Sequence, residues 1–247
     1  MILDEINQKH TKDIEKLRED KYYYGEFGRN FLSNSDIGSL LNNPKDFRGK
    51  GKPTIAMLLG RYFHTELLEP QKLSEFDIVD ASTRTTKAYK ELGKQAILTK
   101  EVDMLSNMAK AIRMNLDFYD MIYKAGNQFE VPAIKEIGGH LWKGKADIVA
   151  SDIIIDLKTT SKIDEFKYSA RRYNYDSQAW IYSQFFGRPM IFIVVEKNTY
   201  KTGIFHCSET FLEYGKQKVF KAIEIYEKFF VEGAPEDINQ YYHTEQL

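Results

Sequence analysis

The spacing of apolar residues changes at Gln128, and this change constrains the fold more than any other feature of the sequence. Before Gln128, apolar residues recur at steps of three and four, which predicts helices, and after it they alternate, which predicts strands. Three strand candidates follow in succession, with tight-turn signals at Gly138-Gly139 and Ser151-Asp152 between them. Pro132 indicates that the first strand lies at a sheet edge or carries a bulge.

The other segments complete a mixed pattern of helices and strands. Helices are predicted at 3–18, from Ser35-Asp36 to about 43, and at 54–69, 101–124, about 163–171, 174–186 and about 208–232, with further strands at 188–197 and 202–207. Residues 45–52 are expected to form a mobile basic loop. We therefore predict an α/β (α+β) fold in which a mixed central sheet is flanked by helices. A single domain is expected over 1–247, with a mainly helical part at 1–125, an αβ core at 126–232 and an acidic tail at 233–247.

Composition excludes several classes of protein. Lys and Arg number 35 against 36 Asp and Glu, and 43% of residues are hydrophobic, so the chain can bury a core and is not expected to be disordered. A net charge of −1 argues against a generally basic nucleic-acid coat, although it does not describe local patches. The single cysteine, Cys207, excludes an internal disulfide and fits a reducing cytoplasm. No apolar run reaches the roughly 18 residues of a membrane span.

Three acids are predicted to lie side by side across the strands that follow Gln128. With both turns as assumed, Glu130 lies opposite Asp147, and Asp147 lies opposite Asp156. Like charges directly opposed in a sheet destabilise it by a few tenths to about 1 kcal/mol, so this arrangement requires a compensating cation. Carboxylate oxygens without nearby cysteine favour Mg²⁺, or Mn²⁺ in its place, over zinc.

Lys158 shares a strand face with Asp156 because side chains repeat every two residues. Acids that bind a metal beside one ammonium are suited to hydrolysis of a phosphodiester. The alternative is that Asp156 and Lys158 form an ordinary pair on a solvated strand and that Glu130 is an exposed acid.

These residues resemble the core motif of a known superfamily. Asp147, followed by Asp156-Leu157-Lys158 and preceded by Glu130, is similar to the PD-(D/E)xK nuclease core, which has a restriction-endonuclease-like fold. Between about 32 and 190, the segments LSNSDIGSLLNNPKDF, GRYFHTELLEP, GKADIV, IIDLKTT and YDSQAWIYSQFFG resemble, in this order, the exonuclease VIII branch, which is related to lambda exonuclease.

The resemblance implies a role for individual residues. Asp147, Asp156 and the Leu157 carbonyl would hold the metal, with Glu130 and His64 contributing, and Lys158 would be the catalytic lysine. Considered without the resemblance, His64 shares a helix face with apolar residues and is better interpreted as a core histidine. Asn43-Pro44 stands where some branches carry the first cysteine of an iron–sulfur cluster, so no cluster is expected.

Two basic segments flank the predicted site and are candidates for DNA contact. Residues 45–61 contain five bases against one acid, and residues 158–172 contain five bases against two acids. A polar and aromatic stripe of Gln178 and Tyr182, extended by Arg171 and Tyr175, follows the catalytic strand. Phosphate contact would make binding independent of DNA sequence. The alternative is a solvated, amphipathic surface. The candidate DNA-binding residues are Arg61, Thr159, Thr160, Arg171, Arg172, Tyr175, Gln178 and Tyr182.

The resemblance implies a metal-dependent exodeoxyribonuclease that acts on linear duplex DNA in phage-type recombination or repair, in the cytoplasm of a bacterium or a phage-infected cell. A single-strand annealing protein as partner, and a homo-oligomer, are expected by analogy. Two alternatives stay open, namely a single-strand-specific, structure-specific or endonucleolytic enzyme, and a non-catalytic DNA-binding or assembly protein. The sequence contains neither a phosphate-binding G-x-x-x-x-G-K-[ST] loop nor an HExxH motif.

Overall fold

The computed structural model describes residues 10–49, 53–242 and 244. Residues 10–16 are helical, while residues 3–9 of the first predicted helix, and Lys50 and Lys52 of the basic loop, lie outside the described part. The helices are α1 Asp20–Tyr23, α2 Asn34–Asn42, α3 Ile55–Leu68, α4 Lys87–Glu91, α5 Thr99–Met114, α6 Leu116–Tyr123, α7 Phe166–Arg172, α8 Tyr175–Phe186 and α9 Glu209–Phe229. The strands are β1 Ile78–Val79, β2 Ile97–Leu98, β3 Gln128–Ile137, β4 His140–Val149, β5 Ile154–Thr160, β6 Met190–Glu196 and β7 Thr202–His206.

The main sheet has five strands in the order β3-β4-β5-β6-β7. Neighbouring strands are antiparallel except β5 and β6, which are parallel and joined through α7 and α8. The predicted mixed sheet flanked by helices is therefore confirmed. The strand that contains Pro132 lies at the sheet edge, as expected for a residue that cannot donate a ladder hydrogen bond. Strands β1 and β2 form a separate parallel pair.

Each face of the sheet carries its own apolar cluster. Ile154, Phe192 and Val194 lie on the first face, which is covered by α2, α8 and α9. Ile155 and Leu157 lie on the second face, which is covered by α3, α5 and α6. This alternation follows from the two-residue repeat of a strand and leaves Asp156 and Lys158 on the first face.

Two predicted helix boundaries are wrong, in both cases because a side chain caps the backbone. The helix expected over 101–124 is divided at Asn115, whose side chain accepts a hydrogen bond from the amide of Phe118 and starts α6. Helix α2 begins after Ser33 instead of at Ser35-Asp36. The amide of Ser33 donates to the Asp36 carboxylate at 2.8 Å, and the Ser33 side chain caps the same turn.

Among the residues that the structure describes, no helix is both long and apolar enough to span a membrane.

Candidate active site

The regular pairing of β3 and β4 is interrupted at Glu130 and Asp147. The ladder pairs Phe129 with Ile148 and then Val131 with Ala146, so the predicted register is confirmed on both sides of an unpaired step. Phe129 and Ile148 belong to the cluster on the second face, whereas Val131 and Ala146 belong to the first. Glu130 has a φ of 49°, in the left-handed region that residues with a side chain rarely adopt. At this step the side chains of both strands therefore switch from one face of the sheet to the other, and Glu130 and Asp147 are not paired in the ladder.

The ladder between β4 and β5 also ends at Asp147. Their ladder consists of the pairs Ile148–Ile155 and Val149–Ile154, which is the register that the Ser151-Asp152 turn predicts. At the next step, the side chain of Asp147 enters between the strands and accepts a hydrogen bond from the amide of Leu157 at 2.7 Å. The expectation of three acids directly opposed in one ladder row is therefore wrong. Glu130 and Asp147 meet where the ladder is interrupted, and Asp156 is outside their cluster.

His64 of α3 joins these carboxylates from the second face of the sheet. Its Nδ1 lies 3.3 Å from Oδ1 of Asp147, and its Nε2 lies 2.8 Å from the carbonyl oxygen of Leu157. Possible ligand atoms of His64, Glu130 and Asp147 all lie within 4.8 Å of one another. The alternative interpretation of His64 as a core histidine is wrong, because the imidazole faces two acids and a carbonyl.

Asp156 and Lys158 form a second group beside the first. The ammonium of Lys158 lies 2.5 Å from Oδ2 of the buried Asp156, and the side-chain amide of Gln178 donates to Oδ1 at 2.6 Å. The ring of Tyr175 lies 4.7 Å from the same ammonium. Helix α8 therefore supplies the residues that orient this pair.

Burial and mutual repulsion shift the pKa values of the acids. Burial, with a contribution from the charge of Asp147, raises the pKa of Glu130 to about 7. Burial also raises the pKa of Asp156 to about 6, although the Lys158 ammonium opposes this shift. Burial acts in the same direction on Asp147, but His64, Lys158 and the Leu157 amide hold its pKa below the ordinary value.

The two basic groups keep their protons. Burial alone would lower the pKa of His64, but the Asp147 carboxylate outweighs it and raises the pKa to about 9. Burial likewise acts to lower the pKa of Lys158, and the negative charges of Asp156 and Asp147, with the Tyr175 phenol, raise it overall. Excess negative charge in the site is thus balanced by two cations from the protein itself.

The site fits a hard divalent cation. Possible ligand atoms of His64, Glu130 and Asp147 lie together, and the buried Asp156 carboxylate lies beside them with its Oδ2 paired to the Lys158 ammonium. Carboxylate oxygens together with one imidazole are a donor set that Mg²⁺ or Mn²⁺ accepts. His64 and Glu130 must lose their protons to act as ligands, so binding would release protons.

Glycine at position 144 lets the sheet lie close to α8. A Cβ atom at Gly144 would lie 2.6 Å from ring atoms of Tyr182 and Phe185. Tyr182 is buried, and its hydroxyl donates to the Lys145 carbonyl at 3.0 Å and accepts from the Lys145 amide at 3.2 Å. The expectation that Tyr182 binds DNA is therefore not supported by its position, because its hydroxyl is bound to β4.

The other candidate DNA-binding residues lie in different surroundings. Arg61 is exposed on α3, one turn before His64, and Thr159 is partly buried in β5. The hydroxyl of Thr160 donates to the Lys162 carbonyl at 3.1 Å and stabilises the following turn.

The prediction that Arg171 extends the stripe of Tyr175, Gln178 and Tyr182 is wrong. Arg171 lies on α7, whereas the other three residues lie on α8. Asn174, with a φ of 58°, separates the two helices. The guanidinium of Arg171 lies over the ring of Tyr214 on α9, and that of Arg172 donates to the Tyr173 hydroxyl at 3.0 Å. Both arginines are exposed.

The segment before α2 lies near the site, and the sequence did not predict this. Tyr24 is 68% exposed and lies within electrostatic reach of Glu130, Asp147 and Arg61. Lys145 pairs with Asp20 at 2.8 Å beside this region. Tyrosine and glycine are frequent in residues 21–29, which is typical of a loop, and the high tyrosine content is the one sequence signal that could have indicated a surface for ligand contact.

Carboxylates on β4 and β5, with a lysine two residues after the second, define the PD-(D/E)xK class of fold on a mixed sheet flanked by helices. A family model described as a PDDEXK-like domain of unknown function (DUF3799) matches residues 40–235. This match covers most of the chain, so the protein belongs to that family.

Of the solved structures compared with this chain, the first described here supports the same fold, and the other two are reported only as similar. A candidate exonuclease from Eubacterium rectale is 16% identical, with a TM-score of 0.60 over 93% of this chain and 95% of that chain. A phage-related exonuclease from Haemophilus somnus 129PT is 15% identical, with a TM-score of 0.35 over 79% of this chain and 93% of that chain. An alkaline exonuclease from Laribacter hongkongensis is 13% identical, with a TM-score of 0.36 over 79% and 88% of the respective chains. A search of the curated proteins found no match to this chain.

Proposed function

We propose that this protein is a divalent-metal-dependent deoxyribonuclease that hydrolyses phosphodiester bonds from the ends of linear duplex DNA. The proposal depends on one observation. The cluster of His64, Glu130 and Asp147 lies beside the Asp156–Lys158 pair on a PD-(D/E)xK sheet. Acids of raised pKa beside a protonated lysine are typical of sites that bind and cleave a polyanion.

In this proposal, Lys158 acts as a cation and not as a general base. Its pKa is raised, so it carries a proton at neutral pH, and its ammonium is placed to stabilise negative charge that develops on a phosphate. Asp156 and the ring of Tyr175 hold the ammonium in place. Gln178 in turn orients Asp156 through the opposite carboxylate oxygen.

The residues proposed to hold Mg²⁺, or Mn²⁺ in its place, are His64, Glu130, Asp147, Asp156 and the carbonyl of Leu157. A bound divalent cation would supply Lewis-acid polarisation of the phosphate and a lower pKa for a coordinated water. The amide of Leu157 keeps the Asp147 carboxylate directed toward the site.

Two observations favour DNA as the substrate and exonucleolytic cleavage as the activity. Exposed cations lie on two helices that pack beside the sheet, with Arg61 on α3 and Arg171 and Arg172 on α7, and contacts of this kind bind phosphates without reading the base sequence. The three structural neighbours reported above are all described as exonucleases. We extend this description to the present chain as part of the proposal.

The experiment compares a linear duplex labelled at one end with a closed circular duplex, each incubated with Mg²⁺. We expect the linear DNA to shorten from its ends, the circle to persist, and EDTA to stop the reaction. Lys158→Ala should reduce the rate by about a thousandfold, the upper range for loss of one donor that stabilises developing charge. Lys221→Ala is the matched control, because Lys221 is exposed on α9, pairs with Glu224 and lies outside both basic segments.

Full activity of Lys158→Ala would contradict the assigned role of this lysine. Cleavage of the closed circle would favour an endonuclease, and faster degradation of single strands would favour a single-strand-specific enzyme. We also propose, by analogy with phage recombination exonucleases, a homo-oligomer and a single-strand annealing protein as partner. Light scattering of the purified chain tests the oligomer.

A further inference from the structure

A cavity of about 310 Å³ opens beside the candidate active site, between α7 and the junction of β7 with α9. Phe192 lines it, and the same residue pairs with Asp156 on one side and with Phe205 on the other. The cavity therefore lies on the sheet face that carries Asp156 and Lys158. Its volume is at the lower end of the range of roughly 300–1,000 Å³ in which small-molecule sites fall.

Phe and Tyr make up five of the eleven described residues that line the cavity. The rings of Phe166 and Phe205 lie 4.6 Å apart between centroids, and those of Phe192 and Phe211 lie 6.4 Å apart. Tyr168 lines the cavity and is 68% exposed, with the Lys167 ammonium 4.8 Å from the centroid of its ring, so the other face of the ring is available to a ligand from solution. Flat apolar walls of this kind accept a planar ring, and stacking of a nucleobase on an aromatic side chain contributes about 1–3 kcal/mol per base.

The rim carries positive charge. Lys167 and Arg171 are exposed and line the cavity together with the imidazole of His206. The described residues that line the cavity include no Asp or Glu. An occupant with a planar apolar ring and an adjoining negative charge complements this lining.

The cavity is separated from the catalytic lysine by a single layer of rings. The ammonium of Lys158 lies 5.9 Å from the centroid of Phe192 and 4.7 Å from that of Tyr175. The ring of Phe166, inside the cavity wall, lies 6.0 Å from Tyr175. A DNA strand with one phosphate at Lys158 could therefore extend toward the cavity.

We propose that this cavity binds an unpaired nucleobase of the DNA strand whose phosphate lies at the candidate active site. Bases in a duplex are stacked and paired and cannot enter a cavity of this size, so the ligand is a single-stranded nucleotide next to the scissile bond. The inference rests on the proposed nuclease function. It adds that the two DNA strands are separated beside the candidate active site.

Cys207 provides a direct reporter of occupancy. It lines the cavity and is the single cysteine of the chain. Burial raises its pKa to about 12, so labelling with the small reagent methyl methanethiosulfonate is carried out at alkaline pH. EDTA is included so that the full-length chain binds DNA without cutting it.

The test compares oligothymidylate with an abasic deoxyribose-phosphate oligomer of the same length, which carries the same charge without bases. We expect saturating oligothymidylate to slow the labelling of Cys207 about tenfold, a factor that corresponds to about 1.4 kcal/mol of the expected stacking energy. The abasic oligomer and a blunt duplex should protect much less. Equal protection by the oligothymidylate and the abasic oligomer, or protection by neither, would overturn the proposal.

A variant pair separates base binding from damage to the fold. Tyr168→Ala should weaken oligothymidylate binding about five- to tenfold, measured by fluorescence anisotropy, while leaving the free energy of unfolding in urea close to that of the wild type. Tyr119→Ala is the control, because Tyr119 is an exposed tyrosine on α6, which packs against the opposite face of the sheet. Equal affinity of the two variants for oligothymidylate would overturn the inference.

The outcomes for the cavity and for the nuclease are distinguishable. Protection by bases without any DNA cleavage would support the cavity and overturn the proposed function. Cleavage that depends on Lys158, without protection by bases, would leave the function standing and overturn the cavity inference.

Discussion

Lys143 is a buried lysine whose ammonium has a backbone partner and an aromatic neighbour. It donates to the Tyr23 carbonyl and lies 4.1 Å from the centroid of the Tyr23 ring. Burial lowers its pKa from 10.5 to about 8. Between these two pH values the unfolded chain holds a proton that the folded chain has released, so the free energy of unfolding rises with pH across this window.

We therefore predict that raising the pH from about 8 to 10.5 stabilises the wild-type protein relative to Lys143→Met, by up to about 3 kcal/mol. Below about pH 8 the difference between the two proteins should be constant, because Lys143 is protonated in both states. Urea unfolding at a series of pH values measures the effect. Lys110→Met, at an exposed lysine of α5, controls for the loss of one charge. Parallel pH curves for wild type and Lys143→Met would contradict the prediction.

At the scale of elements, the site depends on the step where β3 and β4 change face. Glu130 occupies this step with a left-handed backbone, which costs a residue with a side chain about 1–2 kcal/mol. Glycine would adopt the same conformation without that cost. The carboxylate at this position is therefore retained at the expense of local stability, an arrangement that is common at functional sites.

Two substitutions of Glu130 distinguish the effect of losing its carboxylate from the effect of its backbone conformation. Glu130→Ala and Glu130→Gly both remove the carboxylate, but only glycine relieves the left-handed φ. We expect Glu130→Gly to be more stable than Glu130→Ala by about 1 kcal/mol, measured by urea unfolding in EDTA. Both variants should lose nuclease activity in the digestion assay. An alanine variant as stable as the glycine variant would show that the backbone at this step is not strained.

At the scale of the whole molecule, the candidate metal ligands come from distant parts of the chain. His64 belongs to α3, Glu130 and Asp147 to the first two strands of the main sheet, and Asp156 to the third. A cation that binds all of them links α3 on the second face to the sheet. Any ligand that binds the folded but not the unfolded state stabilises it by mass action.

We predict that Mn²⁺ or Mg²⁺ raises the Tm of the wild-type protein above its value in EDTA. The stabilisation should approach about 2.7 kcal/mol when the metal concentration is a hundred times its Kd. Asp147→Asn should abolish the shift, because it removes a charge from the centre of the site. Asp152→Asn, in the exposed turn between β4 and β5, should keep it. An equal shift in all three proteins would indicate that the metal acts elsewhere.

Much of the sheet and part of the site were predictable because they depend on short-range rules. The register of β3 with β4 follows from the two-residue turn at Gly138-Gly139, and the shared face of Asp156 and Lys158 follows from strand alternation. The edge position of β3 follows from Pro132. Each of these inferences uses residues that are close in sequence or joined by a tight turn.

The order of the strand and helix segments, the antiparallel three-stranded unit and the D-x-K spacing were determined by the sequence alone, since periodicity and turn chemistry are local. The tertiary structure decided the face change at Glu130 and Asp147, the burial of Tyr182 and the direction of His64 toward the acids. It also decided that the aromatic cavity opens beside Lys158. These features depend on packing between segments that are remote in sequence, where the competition between burial, charge and backbone strain is resolved only when the whole chain is folded.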